Sequence, residues 1–137
     1  MNTAMDREEL IQKMKLTDPF VYPDGKSLLK KTIRKSVENA WDGTGEVNLT
    51  IVIEEMAELT KEISKFIRGK GDKLALTEEC ADVLFSLEYV KAICGLDDTE
   101  IAKAFQVKLD RLIDLNTKRE GIDGNKESNI GMRFQEG

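Results

Sequence analysis

Two acidic clusters of the same shape, Glu54-Glu-Met-Ala-Glu58 and Glu78-Glu-Cys-Ala-Asp82, are the residues of this sequence best suited to chemistry. Glu55 and Glu58 stand three apart, as do Glu79 and Asp82, so each pair projects from one side of a helix. If those helices pack antiparallel, the four carboxylates converge. Like charges so placed repel, and burying them unpaired is costly, so the folded chain requires a compensating cation or a shifted protonation state. Oxygen-only ligands select hard cations. Mg2+ is the natural occupant and Mn2+ its possible substitute, with positions left open for water and phosphate oxygens.

A competing account is available for each cluster taken alone, because surface helices are rich in glutamate and a single E-x-x-E is commonly a solvated face. Two placements argue against it. Asp82 is a poor helix former set among Cys80, Ala81, Val83 and Leu84, and Glu55 is flanked by Ile51, Val52, Ile53 and Met56. The chain contains no histidine, which excludes a Ser-His-Asp triad, a Cys-His pair, His-ligated zinc and the Glu-x-x-His of di-iron bundles. Cys80 and Cys94 are too few for an all-cysteine zinc site, and on one helix they would stand about 21 Å apart, beyond disulfide reach.

The elements that must position these residues read as helices. Asp6 to Lys15 forms a short one, followed by a loop holding the two prolines, Pro19 and Pro23. From Ser27 to Trp41 the apolar residues Leu29, Ile33, Val37 and Trp41 recur every four positions, and the glycines of Asp42-Gly-Thr-Gly45 stop that helix. Val47 to Arg68 has the clearest amphipathic pattern and ends at Gly69. Thr77 is the expected cap of the next helix, with Glu78 and Glu79 in its first turn and Cys94 near its end. That helix is apolar nearly all round, which calls for cover by a partner subunit. Asp98 or Thr99 starts a last helix carrying Ile101, Phe105, Leu109, Leu112 and Leu115 towards Arg119.

The expected fold is therefore all-α, a four-to-five-helix bundle completed by homo-oligomerisation. At 137 residues, with 40% apolar and 34% charged residues, the chain suits one domain: 1–25 as a short helix and loop, 26–120 as the helical domain, and 121–137 as a flexible C-terminal tail. A net charge of −5 disfavours nucleic acid as the main partner. Lys30-Lys-Thr-Ile-Arg-Lys35 lacks interleaved aromatics and reads as a solvated face. Neither a signal peptide nor a membrane span is expected, which points to a cytoplasmic protein with reduced cysteines and no membrane partner.

Glu54-Glu-Met-Ala-Glu-Leu59 and Glu78-Glu-Cys-Ala-Asp-Val-Leu-Phe85 resemble the doubled E-x-x-E and E-x-x-D pattern of the all-alpha NTP pyrophosphohydrolases, the MazG-like enzymes that include the dimeric dUTPases. The likeness covers about Leu28 to Arg119, with 20 residues between Glu58 and Glu79. It implies that 26–120 is a nucleotide pyrophosphohydrolase domain, a dimer or tetramer, cleaving a nucleoside triphosphate between its alpha and beta phosphates with Mg2+. Glu55, Glu58, Glu79 and Asp82 match the metal-binding positions, and Glu54 and Glu78 the acids before them. Glu54 or Glu55 would serve as general base.

Departing pyrophosphate needs cations, and Lys108, Arg111, Lys118 and Arg119 of the last helix are the candidates, each equally readable as solvated surface. For the base or sugar, Trp41 could stack and Asn48 could supply a polar contact, although Trp41 ends an apolar stripe and reads better as a packing residue. A different class of function, a non-catalytic helical oligomerisation, adaptor or nucleotide-sensing module, would use the same acids for solubility or binding alone.

Overall fold

A computed structural model of the chain describes residues 6–18, 26–40 and 42–123. Within them lie five helices and no strand: α1 (Arg7–Leu16), α2 (Lys26–Asn39), α3 (Glu46–Ile67), α4 (Lys73–Cys94) and α5 (Asp98–Asp123). The proline loop, Trp41 and the tail beyond Asp123 lie outside the described residues.

α3 and α4 form an antiparallel hairpin, the principal packing of the chain, and α2 lies against α4. Two glycines permit that hairpin. Gly71, in the turn, approaches Phe66 so closely that a Cβ there would stand 2.7 Å from its Cα. Gly45, at the start of α3, has φ of 87°, and an added Cβ would stand 2.8 Å from Ile93 on α4. Gly45 is the N-cap of α3, and Asp42 supports that start from the preceding turn, its Oδ2 accepting from the Val47 N–H at 3.1 Å and the Thr44 hydroxyl at 3.0 Å.

The core at the α2–α3–α4 junction is small: Ile33, Val52 and Tyr89 are buried, with Leu29, Val37, Val90 and Ile93 packed against them. Three of the stripe positions expected on α2 are thus the ones used. α3 buries Val52 and Asn48, but its Met56 and Ile63 remain 51% and 45% exposed.

Two boundaries differ from the sequence expectation by more than two residues. α4 begins at Lys73, not after Thr77, because Asp72 caps it by accepting from the Leu74 N–H at 3.0 Å. Thr77 sits inside the helix, its hydroxyl donating to the Lys73 carbonyl at 2.8 Å, so Glu78 and Glu79 fall in the second turn. α5 runs to Asp123, carrying residues 121–123 of the expected tail as helix. Nor does α5 join a bundle: among the described residues it packs extensively against no other helix, and its side chains from 101 to 121 are exposed. Its first residue holds it to the body, with Asp98 ion-paired to Lys30 of α2 at 2.7 Å and to Lys91 of α4 at 2.9 Å. α1 is tied by an ion pair from Arg7 to Asp72 and buries no residue.

Candidate metal centre

The hairpin brings Glu55 of α3 beside Glu79 and Asp82 of α4. Each offers a carboxylate oxygen, and the three oxygens lie within 4.8 Å of one another on half-buried side chains. The i, i+3 spacing places Glu79 and Asp82 on one side of α4, and the antiparallel turn sets Glu55 opposite.

Crowding changes their proton affinity. Burial, and then the adjacent Asp82 charge, raises the Glu55 pKa. Glu79 is pushed up to about 7, first by burial and then by the charges of Asp82, Glu55, Glu58 and Glu78. Burial also raises Asp82, against the opposing effect of a hydrogen bond with Glu55. That bond pushes the Glu55 pKa up and the Asp82 pKa down. Glu79 Oε2 is buried with no hydrogen-bond partner, an acceptor left over in a site made wholly of acceptors. This donor set fits a hard divalent cation, which satisfies the orphan oxygen and relieves the repulsion together.

Of the four carboxylates expected to converge, Glu58 stands outside the close group. It is exposed, yet its charge reaches both Glu55 and Glu79. Glu54 is likewise exposed and contributes to the field at Glu55, as half-buried Glu78 does at Glu79.

Asn48 lies two turns before Glu55 on the same face of α3, about 10.5 Å along the axis. It is 4% exposed, and its Oδ1 is buried without a partner. The cations fare differently. Lys108, Arg111, Lys118 and Arg119 stand on exposed α5, and Lys118 pairs with Asp114 at 3.0 Å. Among the described residues none of the four is joined to the carboxylate centre. Trp41, the other candidate for base contact, lies outside the described residues.

Sequence reasoning passed over a second polar cluster near the C-terminal end of α4. Lys91 donates to Glu88 at 2.6 Å and to Asp98 at 2.9 Å, and Lys30 completes an alternating row at one wall of a groove of about 290 Å³. Lys30 and Lys91 hold the Asp98 carboxyl well below its usual range. The i, i+3 spacing of Glu88 and Lys91 was the available signal, but nothing local indicates that Glu88 is buried.

No described helix is long and apolar enough to cross a membrane. Comparison of the chain with family models, curated proteins and solved structures gives no match.

Proposed function

We propose that this chain is a Mg2+-dependent nucleoside triphosphate pyrophosphohydrolase, cleaving between the alpha and beta phosphates to release a nucleoside monophosphate and pyrophosphate. The observation that carries the reading is the meeting of Glu55, Glu79 and Asp82, three of the four motif carboxylates, in one group with raised proton affinity. Acids that only keep a surface soluble have no reason to gather where they repel.

Glu55, Glu79 and Asp82, with Glu58 at the rim, would hold the ion. When bound, Mg2+ supplies charge neutralisation of the phosphate oxygens and acidifies a coordinated water. The chain's own carboxylates do the rest. Glu79 and Asp82, fixed on α4, would hold that ion and so set where the triphosphate end of a substrate is received. Glu54 or Glu55 would accept the proton of the attacking water as general base. In this reading Asn48, two turns before Glu55 on the same face of α3, is the candidate contact for the sugar or base.

The working form in this reading is a cytoplasmic homo-oligomer, a dimer or tetramer, serving nucleotide-pool house-cleaning. Among the described residues eighteen large apolar side chains are at least 40% exposed, a surface that a partner copy would cover. The same surface would suit a helical adaptor. Pyrophosphate release from a panel of canonical, deoxy- and modified nucleoside triphosphates, with Mg2+ and with chelator, separates the two. Metal-dependent monophosphate plus pyrophosphate is expected, and no release from a folded oligomer would transfer the case to the adaptor.

A further inference from the structure

We propose that Asp98 is a charge latch that sets the direction of α5, with the turn at 95–97 as its pivot, so that one carboxylate fixes a long helix that packing within the chain leaves free to swing. The latch lies outside the carboxylate centre and does not depend on its chemistry.

α5 is a lever with little to lean on. Its 26 residues span about 39 Å. Among the described residues it packs extensively against no other helix, and its side chains from 101 to 121 are exposed. Only residues 95–97 separate it from α4. Gly95 takes a left-handed φ of 66° that ends α4, and the Leu96 N–H donates to the Lys91 carbonyl at 2.9 Å. A joint of this kind fixes where the chain leaves α4 but not where the next helix points, because a few residues at the end of an element can absorb a large change in φ and ψ. A turn of about 10° there moves the far end of a helix of this length by about 7 Å.

Asp98, the first residue of α5, supplies the missing constraint from two directions. Its carboxylate is ion-paired to Lys91 of α4 at 2.9 Å and to Lys30 of α2 at 2.7 Å. A single anchor would let α5 turn about it, whereas anchors on two helices that are themselves packed together hold it in one direction. Lys91 serves the joint twice: its carbonyl closes the end of α4, and its ammonium, on a side chain 15% exposed, grips Asp98. Buried Glu88 pairs with the same ammonium at 2.6 Å, so the row holds two cations and two anions and balances. The Asp98 side chain is 24% exposed, which leaves these pairs less screened than pairs on open surface. Its neighbour Asp97 provides the contrast. Asp97 accepts from the Thr99 N–H at 2.7 Å and, among the described residues, pairs with no lysine or arginine.

Double electron–electron resonance on the full chain reads the direction of α5. Nitroxides are attached at Lys61→Cys on α3 and Glu120→Cys on α5, both exposed positions, with Cys80 and Cys94 replaced by serine. Labelled chains are refolded in an excess of unlabelled chain, so that only distances within one chain are read. One narrow distance distribution is expected. Asp98→Asn keeps the shape and removes the charge, and should make that distribution at least about twice as broad. Lys30→Gln removes one of the two anchors and should fall between. Asp97→Asn removes an equal charge one residue away and should change nothing. A second label pair, Lys35→Cys with Lys61→Cys, lies within the body and should stay narrow throughout. A broad distribution in the chain without these charge substitutions, an unchanged one in Asp98→Asn, or equal broadening in Asp97→Asn overturns the latch. Should Asp98→Asn loosen the body pair as well, Lys30→Gln decides: a broadened α5 pair beside a narrow body pair sustains the latch, and an unaltered α5 pair overturns it.

Discussion

Glu55 on α3 and Asp82 on α4, 27 residues apart in sequence, share a hydrogen bond across the helix seam that pushes the Glu55 pKa up and the Asp82 pKa down. Glu55→Gln offers Asp82 a donor and removes a charge. We expect its metal-free melting temperature at pH 8 to rise above that of the wild type, because repulsion is relieved. Pyrophosphate release should fall at least about 100-fold, with helix content unchanged by circular dichroism. Wild-type turnover in this variant would remove Glu55 from the site.

The stability of the metal-free protein should depend on pH with a sign fixed by Glu79. Its carboxyl binds a proton up to about pH 7 when folded and only up to about 4.5 when unfolded. Between those values the folded state holds more protons, so stability falls as pH rises through the window. Asp98 acts oppositely: its depressed pKa contributes stability above its usual 3.8 that is lost as pH falls. Urea midpoints in chelator should therefore peak on the acid side of neutrality, and Mg2+ should flatten the neutral limb. A chelator profile that climbs steadily from pH 5 to 8 would contradict the crowding of these carboxylates.

Much of this arrangement was legible in the sequence for a physical reason. The i, i+3 spacing of Glu55 with Glu58 and of Glu79 with Asp82, on periodic helices joined through a glycine turn, constrains which faces meet once the hairpin closes. The cap of α4 was misread because Asp72 and Thr77 both suit a helix start, and only the backbone direction at Lys73 decides between them. The placement of α5 was not legible at all. Its period announces an apolar face but not which surface, in which copy of the chain, receives it.

Burial at the α2–α4 groove yields a graded prediction. Lys91 is 15% exposed and neutralises Glu88, itself 8% exposed, whereas Lys30 is 53% exposed. Lys91→Met leaves a buried carboxylate without its cation and should cost about 3 kcal/mol in chemical denaturation. Lys30→Met removes a solvent-screened partner and should cost less than about 1 kcal/mol. The double variant Lys91→Met, Glu88→Met should recover most of the loss. Equal costs for the two single variants would show that burial does not govern this row of charges.

Asn48 separates a packing role from a recognition role. Its Oδ1 is buried and unpartnered on a side chain 4% exposed, which is a standing cost to the fold. An apolar residue of similar volume avoids that cost, so Asn48→Leu should stabilise the chain by about 1 kcal/mol in denaturant titration. A position that gains stability when altered is one that a purely structural account does not explain. If the amide meets the sugar or base of a nucleotide held at Glu55, Glu79 and Asp82, the same variant should raise KM at least about tenfold while changing kcat little. Asn48→Asp then serves as the control, since it keeps the shape, adds a further negative charge to the face leading to Glu55, and should impair both stability and substrate binding. Stabilisation of Asn48→Leu with unaltered KM across the nucleotide panel would assign Asn48 to the core and leave base recognition to other residues.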